Sequence, residues 1–94
     1  MNELGKFGRT ALHHACESGK IVSIPVLMEN GADAEARDID RENTPLIVAA
    51  INNQTNCVKI LIESYGASVN RENKFKRTPL LCAVQAGNLD VVSS

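Results

Sequence analysis

The stretch Thr44-Pro45-Leu46-Ile47-Val48-Ala49 returns as Thr78-Pro79-Leu80-Leu81-Cys82-Ala83, and Thr10-Ala11-Leu12-His13-His14-Ala15 precedes both in the same form. Thr ahead of Pro is a helix-start signal. The hydroxyl caps a backbone N–H of the first turn, and Pro at the first helical position lacks an N–H that would have no partner anyway. Leu12, Leu46 and Leu80 stand two residues past each Thr and open a buried stripe, while Ala15, Ala49 and Ala83 keep that face thin enough for close neighbours. Nine residues after each Thr comes a break: Gly19, Asn53 or Gly87. A second apolar segment follows, Ile21 to Met28 and then Val58 to Ile62, and closes on Asn30-Gly31-Ala32-Asp33 or Tyr65-Gly66-Ala67-Ser68. The pattern predicts first helices over 11–18, 45–52 and 79–86, second helices over 22–29 and 56–64, and a stub from about residue 89. Pro25 falls in the first turn of its helix, where N–H groups are unpaired in any case, so it is tolerated with at most a slight kink. Gly31 and Gly66 are placed to end the second helices in a left-handed conformation.

The Thr-to-Thr spacings are both 34, but the internal anchors show a shorter unit. Thr10 to Gly31 is 21 residues and Gly31 to Thr44 is 13; Thr44 to Gly66 is 22 and Gly66 to Thr78 is 12. The extra residue lies in the loop before Thr44 in one unit and beside Tyr65 in the next. The underlying period is therefore 33 with one insertion per unit. A tetratricopeptide array, of period about 34, carries a W-x-x-L-G signal, and this chain has no Trp.

These units resemble the ankyrin repeat family, whose pattern runs T-P-L-H-x-A, a Gly break, V-x-x-L-L and G-A-D-V-N. Thr44-Pro45-Leu46 and Thr78-Pro79-Leu80 match it, as do Leu12-His13 with Ala15, Gly31-Ala32-Asp33 and Val69-Asn70. The resemblance covers essentially the whole chain. It implies an all-α ankyrin-repeat solenoid of stacked helix pairs with β-hairpin-like finger loops, forming one domain over 1–94. Repeat 1 would span about 5–38, repeat 2 about 39–72 and a partial repeat 3 about 73–94. No unit buries its apolar face alone, so each stacks on the next. Fingers and first helices would form a concave surface that binds another protein without catalysis. The third unit stops short at Ser93-Ser94, which suggests a piece of a longer array with a fraying end. The alternative is a structural spacer or targeting segment of a larger enzyme or membrane protein.

Composition bounds the remaining classes. A chain of 94 residues is one small domain, burying only about 60–65% of its unfolded surface. Apolar residues are 44%, enough for a core, and the only aromatics are Phe7, Tyr65 and Phe75, so that core is Leu, Ile, Val and Ala. Net charge is −1, no whole-chain footprint for nucleic acid or an anionic membrane. The longest apolar run, Pro45 to Ile51, is far too short to span a bilayer, and Met1-Asn2-Glu3-Leu4 lacks signal-peptide order. Cys16, Cys57 and Cys82 are an odd, widely spaced set with no C-x-x-C pair. They read as small buried hydrophobes kept reduced inside a cell, in cytoplasm or nucleus. His13-His14-Ala15-Cys16-Glu17 is the only cluster of potential ligands, and its spacing is not that of a zinc motif. No phosphate loop or nucleophile context is present, and neither a cofactor nor an enzyme is expected.

The departures from the family pattern carry the finer expectations. The family histidine, implied by the resemblance to brace the Thr turn through hydrogen bonds, survives only as His13; Ile47 and Leu81 replace it, so units two and three should rely on packing. Gly8 holds the finger tip in the first unit, but Glu42 and Lys76 stand at that phase later. A non-Gly residue at positive φ costs roughly a kcal/mol or more, and Asn43 or the insertion is expected to absorb this in the second finger. Lys6-Phe7-Gly8-Arg9 and Lys74-Phe75-Lys76-Arg77 give the first and third fingers basic, aromatic tips. Between them, Glu29 to Glu42 holds six acidic and two basic residues, net −4. The Phe side chains either tuck against a neighbouring finger or stand out as contacts, and the charges read first as solvated surface or cross-finger pairs.

The contact residues expected at the tips are Lys6, Phe7, Arg9, Arg41, Lys74, Phe75 and Arg77. On the helices the family's ligand-facing positions are Glu17, Ser18, Ile51, Asn52 and Gln85, beside Ala86. Asn70 fills a position that some family members hydroxylate. The expected partner is another protein, with the chain itself a monomer; the truncated third repeat is where self-association would run.

Overall fold

The computed structural model describes residues 10–39 and 41–87. Five helices follow in order: α1 Ala11–Ser18, α2 Ser23–Glu29, α3 Pro45–Ile51, α4 Thr55–Tyr65 and α5 Pro79–Ala86. The first helices start where the Thr caps place them. Thr10, Thr44 and Thr78 hold extended backbone, and each hydroxyl accepts from the N–H three residues on, at 3.4, 3.3 and 3.3 Å. Gly19, Gly66 and Gly87 end their helices at positive φ, and Asn53 takes the left-handed position after α3 at φ 53°. Gly31, at φ 86°, follows α2. Pro25 is the third residue of α2, and its missing N–H removes no intrahelical bond. α4 runs one residue further at each end than the apolar pattern predicts, absorbing the inserted Tyr65 into its last turn.

α3 is the centre of the molecule. Pro45 through Ala50 are all buried, α1 and α5 pack on it from either side, α4 packs on it within its own unit, and α2 packs on α1. One continuous core results from Leu12, Cys16 and Ile24 of the first pair, Leu46, Val48, Cys57 and Leu61 of the second, and Ala83 of α5. Each fully buried Leu or Ile contributes about 1.5–3 kcal/mol by leaving water. Ala15, Ala49 and Ala83 are buried where the first helices meet, which lets these helices approach closely.

Two expectations are corrected. Ile47 is fully buried, but Leu81 is 42% exposed, because no described unit follows α5 to cover it. The strain of the second finger is taken by Glu42 itself, at φ 57°, rather than by Asn43. No strand occurs among the described residues. Backbone bonds close the fingers instead: Asp38 N–H to Asn43 O at 3.0 Å in the second, and Asn73 N–H to Arg77 O at 3.0 Å with Lys76 N–H to Asn73 O at 2.9 Å in the third. The Asp38 and Asn73 side chains accept from other N–H groups of these loops. The predicted stub from residue 89 lies outside the described residues.

Candidate functional site

The fingers are positioned by a buried polar ladder that starts in α1. His13 Nδ1 accepts from the Thr10 N–H at 3.1 Å and lies 2.9 Å from the Thr10 hydroxyl. Nδ1 therefore carries no proton, and Nε2–H donates to the Asn43 carbonyl at 2.7 Å. Asn43 is held from its other side by Asp38, whose Oδ1 accepts from the Asn43 N–H at 3.1 Å and the Arg41 N–H at 3.0 Å. Asn73 repeats this turn one unit on: its Oδ1 accepts from the N–H of Phe75 at 2.9 Å and of Arg77 at 3.2 Å. Its amide then donates to Asn43 Oδ1 at 3.0 Å, and the Lys74 N–H donates to the Arg41 carbonyl at 2.9 Å. Among the described residues every buried side-chain nitrogen and oxygen has a partner. The ladder fixes the second and third fingers relative to the first helices without a β-sheet.

A groove of about 440 Å³ opens between these fingers and the ends of α3 and α5. Arg41, Ile51, Phe75, Arg77 and Gln85 all line it, and all five are residues expected from the sequence to make contacts. Phe75 is 52% exposed with Lys74 Nζ and the Arg77 guanidinium carbon each 5.7 Å from its ring centroid. Asn73, Cys82 and Ala86 complete the lining. Asn73 and Cys82 were not foreseen: Asn73 looks like an ordinary loop residue, and Cys82 reads as core, which it also is. Burial pushes the Cys82 thiol above its ordinary value, and the charge of Arg77 pulls it part of the way back.

The remaining expected residues are less concentrated. Lys74 is exposed and lines a second hollow with Arg37, Arg71 and Lys76. Part of the charge there is spent internally. Arg37 pairs with Glu42 at 3.3 Å and Arg71 with Glu35 at 3.4 Å, and Glu35 also accepts from the Ser68 N–H at 3.0 Å. Such exposed pairs are weak, but they cross from one unit to the next in the second case. Glu17 and Ser18 are exposed at the end of α1, where the Glu17 carbonyl accepts from Gln54 Nε2 at 3.0 Å. The Asn52 amide turns back to the Val48 carbonyl at 2.9 Å, so it serves α3 rather than the groove. Asn70 is exposed beside the second hollow. Lys6, Phe7 and Arg9 lie outside the described residues. Among the described residues no group of three or more His, Cys, Asp or Glu could hold a metal ion, and no helix is long and apolar enough to cross a membrane.

The pattern of the family described as ankyrin repeats (3 copies) matches residues 1–73 and again 23–94. The chain belongs to the ankyrin repeat family, whose repeats are protein–protein interaction modules. It is 39% identical over 85 residues to the B-cell lymphoma 3 protein homolog of Mus musculus, covering 90% of this chain and 19% of that protein. It is 39% identical over 87 residues to protein fem-1 homolog A of Bos taurus, covering 79% of this chain and 13% of that protein. It is 35% identical over 83 residues to alpha-latrocrustotoxin-Lt1a of Latrodectus tredecimguttatus, covering 88% of this chain and 6% of that protein. The chain thus spans less than a fifth of the length of each of these relatives.

Proposed function

We propose that this chain is a non-catalytic module that binds another protein across its concave side. The observation that carries the reading is the convergence of Arg41, Ile51, Phe75, Arg77 and Gln85 on one groove. Half-exposed aromatics and arginines beside an apolar floor are the residue types that dominate binding energy at protein interfaces. The ladder through His13, Asn43 and Asn73 holds them in place before any partner arrives, so little conformational entropy is lost on binding. The module is a monomer in isolation. It works in the cytoplasm or nucleus, where its free buried cysteines stay reduced. From the sequence, Lys6, Phe7 and Arg9 are proposed as further partner contacts.

The test is affinity capture from a cell extract with the chain and with an Ile51→Glu/Phe75→Ala variant, both checked for an unaltered unfolding midpoint. Partners retained by the unmodified chain and lost by the variant support the reading. Identical sets of retained proteins would remove the groove from the binding surface.

A further inference from the structure

We propose that the groove between the second and third fingers takes a short acidic segment of the partner protein that also carries an apolar side chain. This rests on the protein-binding reading and narrows it to one partner chemistry. The groove has an apolar floor of Ile51, Phe75, Cys82 and Ala86, with Arg41 and Arg77 in its lining and no carboxylate among its lining residues. Lys74 and Arg77 are gathered about one ring, each 5.7 Å from the Phe75 centroid. Among the described residues neither forms an ion pair. A carboxylate seated in the groove lies beside Arg41 and Arg77 of its lining and is attracted by both guanidinium groups. It also gains charge-assisted hydrogen bonds, which are stronger beside low-dielectric apolar surface than in open water. An apolar side chain next to the carboxylate covers Ile51 and the exposed part of Phe75.

The geometry is held for such a ligand. Asn73 fixes the Phe75 and Arg77 backbones, and the Lys74 N–H to Arg41 O bond sets the separation of the two fingers. The charge distribution selects a short acidic stretch over a nucleic acid. Residues 29–42 carry six acidic and two basic residues, so a long polyanion tracking past the basic tip meets a repelling second finger. A segment with two or three carboxylates does not.

The experiment selects a phage-displayed library of random dodecapeptides on the immobilised 94-residue chain, then measures enriched peptides by fluorescence anisotropy. The expected peptides combine at least two Asp or Glu with a Leu, Ile or Phe. Arg77→Glu and Phe75→Ala each weaken them by about tenfold or more, whereas Lys20→Glu, away from the groove, leaves affinity unchanged. Peptides that lack acidic enrichment, bind equally well to Arg77→Glu and are lost on Ile51→Glu would overturn the acidic assignment and leave the protein-binding surface standing. Failure to enrich any peptide, or enriched peptides indifferent to every groove substitution, would overturn both. Displacement of the peptides by oligothymidylate, with the steep salt dependence of phosphate contacts, would assign the basic tip to nucleic acid and also overturn the proposal.

Discussion

Lys76 holds a left-handed backbone at φ 61°, and Glu42 does so at φ 57°. Both stand at the phase where the first unit has Gly8, so the strain was readable in the sequence. Its exact holder in the second finger was not, because Asn43 looked free to flex. In the folded chain the Asn43 N–H, carbonyl and side chain are all committed to partners, which leaves Glu42 as the residue that turns. An L-residue in this region costs about 1–2 kcal/mol, and Gly returns about half of that through its greater freedom when unfolded. Lys76→Gly is therefore expected to stabilise the chain by about 0.5–1 kcal/mol, read as a higher urea midpoint with unchanged slope. A lower midpoint would mean that the Lys76 side chain itself stabilises the finger. The cysteines give a second expectation at this scale. Burial pushes the thiols of Cys16, Cys57 and Cys82 above their ordinary value of 9.0, and in Cys16 the neighbouring Cys57 adds to the effect. Above that value the unfolded chain releases thiol protons that the folded chain keeps, so rising pH favours unfolding. Stability is fully present below pH 9 and declines above it. The urea midpoint should fall between pH 9 and about pH 11, and a Cys16→Ala/Cys57→Ala variant should show a shallower decline. Parallel declines in the two proteins would assign the effect to other groups.

The helices were almost fully legible because each has a punctuating residue at a fixed offset: a Thr cap before the first helices and a Gly or Asn after them. The predicted and observed spans of α1 and α5 coincide, and α3 ends one residue earlier than expected. The fingers were less legible. Asp38, Asn43 and Asn73 are polar residues in loops, a description that fits any solvated turn. Only packing brings Asn73 against Asn43, and His13 against Asn43, each across 30 residues of sequence. The same ladder explains why these loops need no strands, since side-chain oxygens of Asp38 and Asn73 accept from N–H groups within them. Asn73→Ala removes two accepted bonds and one donated bond, and leaves a buried oxygen of Asn43 unpaired. The expected loss is about 2–3 kcal/mol, together with weaker partner binding as Phe75 and Arg77 lose their shared anchor. Asn73→Asp keeps the oxygen that closes the turn, as Asp38 does in the second finger, and with the Asn43 amide turned so that its NH2 meets the new carboxylate it should cost less than half as much. Equal losses in chemical denaturation for the two variants would show that the turn bonds matter little beside the contact to Asn43.

Across the whole molecule, stability follows the stacking of neighbours around α3. Both sides of α3 are covered, by α1 and by α5, whereas α5 leaves Leu80 56% and Val84 54% exposed. In a nearest-neighbour stack the unit with one covered side opens at lower free energy than the unit with two. The repeat supplies its own control for this. The Val48 N–H donates to the Thr44 carbonyl at 3.0 Å and the Cys82 N–H to the Thr78 carbonyl at 2.9 Å, the same bond at the same phase of two successive helices. Local geometry is matched, so a difference in protection reports packing alone. Native-state hydrogen exchange should find the Val48 amide at least about tenfold slower to exchange than the Cys82 amide. Binding of a partner in the groove, which touches both Ile51 of α3 and Gln85 of α5, should narrow that gap by slowing Cys82. Equal protection in the free chain would mean that all three units open in one cooperative step, and that α5 draws its stability from the ladder of Asn43 and Asn73 rather than from the apolar face it shares with α3.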